Sequence, residues 1–155
     1  MTEYIHNIDE LLKISRKGTY EIVNDIDCEG KSISKIIGDF SGVIDGAGHI
    51  IKNLILHDEI WGDEQTLALF YSMNRAEIKN INFDNICMDY TRGVYNPRIG
   101  ALAGVCADCI FDNIVFSVSN SSNDDTTLVY EASNCKMQNI KIVCNGKENP
   151  VAKYN

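Results

Sequence analysis

Four asparagines, each followed by Leu or Ile, recur along this chain: Asn53-Leu54, Asn80-Ile81, Asn113-Ile114 and Asn139-Ile140, at intervals of 27, 33 and 26 residues. Two positions before each asparagine stand Ile51, Ile78, Phe111 and Met137; three positions after it stand Leu56, Phe83, Phe116 and Ile142. All are apolar. In the last three copies the residue eleven places upstream is Leu69, Leu102 and Leu128. One residue type at several fixed offsets marks internal repetition, and this limits the fold more than any other feature of the sequence.

Within the copies, stretches such as Ile78-Lys79-Asn80-Ile81-Asn82-Phe83 and Met137-Gln138-Asn139-Ile140-Lys141-Ile142 alternate apolar and polar residues over a few positions, which is the pattern of short strands broken by corners. A unit of this size built from short strands cannot bury its apolar side alone, so the copies must stack, each strand pairing in parallel with its counterpart one coil along. The expected architecture is an all-β solenoid of about four to five coils. Strands so stacked lie about 4.8 Å apart, and equal offsets become ladders along the axis. The four asparagines should form one ladder, inward or at a corner, whose amides bond one another and the turn backbone; isolated buried amides are costly and stacked ones are satisfied.

Several segments resemble a known repeat family: Asp25-Ile26-Asp27; Gly38 through Leu54, with Gly42-Val43-Ile44-Asp45-Gly46-Ala47-Gly48 at its centre; Ala68-Leu69-Phe70 with Ile78-Lys79-Asn80-Ile81; and Gly100-Ala101-Leu102-Ala103-Gly104. They look like the right-handed parallel β-helix repeats of the GLUG type found in bacterial and phage proteins, over roughly residues 20 to 142. The resemblance implies a short right-handed parallel β-helix. It implies little about function, because such repeats occur in adhesins, sugar-acting enzymes and binding modules alike. Members of that family usually sit in long secreted chains, whereas this chain is short and opens without an export signal.

Residues 8–16 place apolar groups at Ile8, Leu11, Leu12 and Ile14, with Asn7 as N-cap, Glu10 three residues on and Gly18 as a stop. A capping helix is expected here, lying over the first coil and shielding its open strand edges. The domain reading is a single body over 1–155, with the cap in 1–18, coils over 19–144 and a polar tail in 145–155. At that far end either the tail folds over the last coil or the coil pairs with a second subunit, and a homodimer through the C-terminal coil is the expectation.

The opening residues carry acids where a secretory signal needs a basic start and an apolar stretch. The longest run free of charge and bulky polar groups, residues 99–107, is about half of the roughly 18 residues that span a bilayer. Cytoplasmic residence without a membrane segment is expected, with the six cysteines mostly reduced and buried. Fourteen basic against twenty-two acidic residues give a formal charge of −8, which opposes a phosphate-binding surface spread over the fold.

Catalytic, metal and cofactor signatures are weak. Cys106-Ala107-Asp108-Cys109 is a lone C-x-x-C without a second pair, and the repeat register offers a simpler account: Cys109 and Cys135 stand four residues before their asparagines, where the preceding copy has Ala76, so small residues stack at one corner. A Cys109–Cys135 bridge fits the coil spacing but needs an oxidising setting. Asp45 and His49 bracket a glycine-rich segment better explained as a tight corner than as a catalytic loop. Asp84 and Asp112 occupy different offsets, and Asp108 matches Arg75 and Asn134, so the acids do not converge as glycosidic-bond cleavage requires. No enzyme, cofactor or metal is expected.

Three excursions leave the repeat after the strand that follows the asparagine: residues 57–65, 88–98 and 117–127. Because they exit at comparable points, they should emerge on one side. The first carries Asp58, Glu59, Trp61, Asp63 and Glu64; the second carries Tyr90, Arg92, Tyr95 and Arg98. Trp, Tyr and Arg are the usual energetic anchors of protein interfaces. These nine residues are the candidate partner-binding set. The expected role is a non-enzymatic protein-binding module, an inhibitor of the phage anti-defence or anti-CRISPR type. It would block the basic surface of a nucleic-acid-handling protein and bind neither nucleic acid nor membrane directly. The alternative is a carbohydrate-binding or adhesion-related module that uses the same aromatics as a sugar platform.

Overall fold

The computed structural model describes residues 1–59, 65–91, 97–121 and 123–155. Among these, fifteen strands and one helical turn follow in order: β1 (Thr2–Ile5), α1 (Ile8–Leu11), β2 (Thr19–Ile22), β3 (Ile26–Ile33), β4 (Ile37–Phe40), β5 (Val43–Asp45), β6 (Ile50–Glu59), β7 (Thr66–Leu67), β8 (Phe70–Asn74), β9 (Glu77–Thr91), β10 (Arg98–Ala107), β11 (Ile110–Ser119), β12 (Thr127–Ser133), β13 (Lys136–Cys144), β14 (Lys147–Asn149) and β15 (Ala152–Tyr154). One sheet runs β1-β2-β5-β9-β11-β13-β14, with β6 bridging β3 and β9; the other runs β15-β12-β10-β8-β4, with β7 beside β10. All neighbours are parallel except β13 and β14. The fold is all-β and built on parallel pairing of successive copies.

The leucine offsets read from the sequence are structural. Ala103 pairs with Phe70 and Val129, which places Leu102 opposite Leu69 and Leu128, and all three leucines are fully buried. A second buried row runs Ile51, Phe83, Phe116, Ile142, with the Phe83 and Phe116 rings stacked at 4.7 Å. Each such side chain contributes about 1.5–3 kcal/mol by leaving water, so the rows hold adjacent copies in register.

Corners are made by asparagine. Twelve described non-glycine residues have positive φ, and eight of them are asparagines: Asn53, Asn80, Asn85, Asn113, Asn120, Asn134, Asn139 and Asn145. The left-handed region penalises a Cβ, and asparagine tolerates it best after glycine because its short amide bonds locally. Asn80, Asn113 and Asn139 stand in register with φ 56° each. Asn113 Nδ2 donates to Asn80 Oδ1 at 3.0 Å, while Asn80 and Asn139 donate to Asp45 and Asp112 at 3.2 and 3.1 Å. A second corner row, Arg75, Asp108 and Asn134, has φ near 55° throughout, and Asn134 Nδ2 reaches Asp108 Oδ1 at 2.6 Å. That row reproduces the offset match expected from the sequence.

Asn53 departs from the expected ladder. Strand β6 pairs with the later part of β9, Ile51 to Phe83 and Lys52 to Asp84, so Asn53 lies on Asn85 and accepts its amide at 2.8 Å. The cause is that β9 passes two corners five residues apart, Asn80-Ile81 and Asn85-Ile86, which look alike in the sequence. Position 80 is instead met from below by the segment after β5, where Gly46 donates to the Lys79 carbonyl at 2.8 Å. The asparagines therefore form two corner rows on the surface, not a single row of four.

Because Asn113 combines positive φ with an amide bond to the next copy, Asn113→Val should lower stability by about 2–3 kcal/mol, the cost of a β-branched residue in the left-handed region plus a lost hydrogen bond. Asn113→Gly keeps the backbone and should cost under about 1 kcal/mol. Urea midpoints of the two variants check the difference.

The expected helix over 8–16 is a single turn. Asn7 caps α1 by accepting from the Glu10 N–H at 2.9 Å, but the turn ends at Leu11, and the edge of the first sheet is strand β1 rather than a helix. The apolar spacing that suggested a helix serves burial of Ile8 and Leu11 in this one turn and of Ile14 in the loop after it, all packed against the core. At the other end the tail folds onto the last strands: β14 lies antiparallel to β13, and β15 extends the second sheet beside β12.

Candidate functional site

The excursions spring from paired backbone. At the end of β6 and β9, His57 pairs with Asp89, Asp58 with Tyr90 and Glu59 with Thr91; on return, Thr66 pairs with Arg98 and Leu67 with Ile99. The third excursion leaves where Ser119 pairs with Cys87 and returns where Thr127 pairs with Gly100. All three thus depart from and rejoin neighbouring positions, the arrangement that a shared repeat register requires.

Of the nine nominated residues, Trp61, Asp63, Glu64, Arg92 and Tyr95 lie outside the described residues, and Glu59 is described by its backbone at the end of β6. Asp58 Oδ2 accepts from the Tyr71 hydroxyl at 3.0 Å, and Lys35 Nζ sits 5.2 Å from the Tyr71 ring centre. Burial, reinforced by the Asp58 carboxylate, pushes the Tyr71 phenol up to about 12, so it remains a donor at neutral pH. Tyr90 packs half-buried against the core. Arg98 is half-buried and lies close enough to Tyr130 to favour its phenolate.

The residues around these roots were not singled out in the sequence. His57 Nδ1 lies 3.2 Å from Asp89 Oδ2. On the second sheet, pairing places Tyr71, Gly104 and Tyr130 in one row; Tyr130 meets Tyr154 edge-on at 5.3 Å, and Lys153 stands 5.8 and 5.7 Å from the two ring centres. Burial, then Tyr154, raises the Tyr130 phenol. The available signal was alternation: Tyr71 follows buried Phe70 and Tyr130 follows buried Val129, so both had to point away from the core. A cleft of about 340 Å³ beside the tail is lined by Asp125, Lys147, Glu148 and Lys153, in which Lys147 already pairs with Asp125 at 3.4 Å.

The segment with Asp45 and His49 is held by internal bonds. Asp45 Oδ1 accepts the Ala47 N–H at 2.8 Å and the Asn80 amide, while His49 Nδ1 lies 3.1 Å from Asp25 Oδ1, so the carboxylate and imidazole serve different partners. The six cysteines are free thiols, four of them buried. Among the described residues no group of three His, Cys, Asp or Glu is placed to hold a metal ion, and no helix is long and apolar enough to cross a membrane. No protein-family model matches the chain, and no curated protein or solved structure does.

Proposed function

We propose that the two parallel sheets close into a short right-handed β-helix of four to five coils, of the GLUG-like repeat type, and that this solenoid is a cytoplasmic, non-enzymatic protein-binding module. Its task in this reading is inhibition: the acidic body and its excursions occupy a basic surface on a nucleic-acid-handling protein, in the manner of phage anti-defence inhibitors. The observation that supports it is the pairing of Asp58 with Tyr90, Glu59 with Thr91 and Thr66 with Arg98. That pairing roots an acid-rich, Trp-containing segment beside a Tyr/Arg-rich one. An acidic surface steers a cationic partner from a distance, and aromatic and arginine anchors give the contact specificity.

Affinity capture with the full chain is expected to recover a nuclease or another basic nucleic-acid binder, with association weakening as salt rises. Trp61→Ala and Tyr95→Ala should each weaken that association by about tenfold or more while leaving the urea midpoint unchanged. Wild-type affinity in both variants contradicts the assignment of the excursions. Salt-insensitive behaviour with reproducible hits on a glycan array favours the carbohydrate-binding alternative instead.

A further inference from the structure

Three thiols meet at the corner between the two sheets. Cys106 ends the inward face of β10, Cys109 follows the left-handed corner at Asp108, and Cys135 holds the same place one copy later, since Ile110 pairs with Lys136 and Lys136 N–H donates to the Cys109 carbonyl at 2.9 Å. The Cys109 thiol donates to the Ala107 carbonyl at 3.3 Å and the Cys135 thiol to the Ser133 carbonyl at 3.4 Å, and Ala107 and Ser133 are themselves register partners. The two side chains therefore leave neighbouring strands in the same direction. Strand spacing of about 4.8 Å falls within the Cα separations that disulfides span.

Cys109 lies within hydrogen-bonding reach of both Cys106 and Cys135. Access differs along this line: Cys106 and Cys109 are buried, while Cys135 is half-buried and meets solvent. The hydrogen bond from Cys106 lowers the Cys109 thiol below its ordinary range, and the same contact raises Cys106. Partial burial raises the Cys135 thiol, so what assigns it the first step is access: it is the one of the three that solvent reaches, and the more readily ionised Cys109 stands beside it in register to resolve the product.

We infer that Cys135 and Cys109 form a peroxide-reactive dithiol that closes to an intramolecular disulfide joining successive copies. The Cys135 thiolate attacks one oxygen of hydrogen peroxide; the O–O bond breaks, a sulfenic acid forms, and the departing hydroxide takes the thiol proton as water. The Cys109 thiolate then attacks the Cys135 sulfur; the S–O bond breaks, and hydroxide leaves with the Cys109 proton as a second water. The two sulfurs lose one electron each, and the peroxide is reduced to two waters.

Treating the full chain with hydrogen peroxide, blocking remaining thiols with maleimide and mapping peptides should give a species lighter by two hydrogens, with Cys109 joined to Cys135. Cys87 is the internal control, because it too is half-buried but is influenced by Asp89 rather than by another thiol. Cys135 should end in the disulfide, whereas Cys87, whose register partners are Ile55 and Ser119, should be recovered outside any disulfide. Cys109→Ser should halt the reaction at a dimedone-trappable sulfenic acid on Cys135, Cys135→Ser should abolish the disulfide, and Cys106→Ser should preserve it. A Cys106–Cys109 disulfide in the wild-type chain, or Cys135 proceeding to sulfinic acid with no Cys109–Cys135 disulfide, overturns the proposal without reference to any variant.

Discussion

Phe116→Ala is expected to destabilise the protein by about 3–5 kcal/mol, the range for removing a buried phenylalanine. Phe116 has no exposed surface, pairs with Phe83 on one side and Ile142 on the other, and stacks on the Phe83 ring at 4.7 Å. Truncation therefore opens a cavity in the middle of a buried row and removes an aromatic pair at once. Neighbours on both sides are fixed by their own strand pairing, so little collapse can fill the space. Val115, the preceding residue on β11, points outward with 36% exposure, and Val115→Ala should change stability by less than about 0.5 kcal/mol. Urea denaturation of the two variants measures the contrast, and equal losses would mean that β11 does not present these faces.

Gly100→Ala is the second large effect, expected at about 3 kcal/mol, the upper part of the range for overpacking. A Cβ at this position would overlap the Ala103 carbonyl oxygen and stand 2.9 Å from the Tyr130 backbone nitrogen, both backbone atoms with no rotamer to yield. The reason lies in pairing: the register between β10 and β12 shifts between Gly100 and Ala103, and the chain folds closely on itself there. Gly38→Ala is the matched control, because nothing lies within 4 Å of its Cβ, and it should stay within about 0.5 kcal/mol of wild type. Thermal and urea midpoints check both.

These two positions also show how the sequence carried the fold. Phe116 was legible because apolar offsets in a repeat have a single physical use, to stack on their counterparts, and Leu69, Leu102 and Leu128 behaved likewise. The Arg75–Asp108–Asn134 match was legible for the same reason, although three different side chains occupy one backbone conformation there. Asn53 was misaligned because two left-handed corners in β9 present the same dipeptide, and only pairing energy chooses between them. The helix over 8–16 failed because apolar residues three and four apart also suit a loop pressed on a core, and one turn gains too little to persist without packing along its length.

For the candidate site, only the side on which the excursions emerge was legible in the sequence. The asparagine register would set Asp58 on Asn85; its pairing with Tyr90 follows from Asn53 lying on Asn85, and that of Thr66 with Arg98 was not read from the sequence. The Tyr71 hydroxyl on Asp58 joins residues thirteen apart across two strands, a contact that no periodicity encodes. The thiol line Cys106–Cys109–Cys135 lay between: register supplied the Cys109–Cys135 neighbourhood, and only the fold brought Cys106 to it.

Nuclear Overhauser contacts between Hα and amide protons on adjacent strands test the stacking most directly. The account requires cross-peaks linking residues 50–52 to 82–84, 57–59 to 89–91 and 66–67 to 98–99, with Ile51 methyls touching the Phe83 ring. Contacts from Ile51 to Ile78 instead, or excursion roots that show no mutual contact, would contradict it.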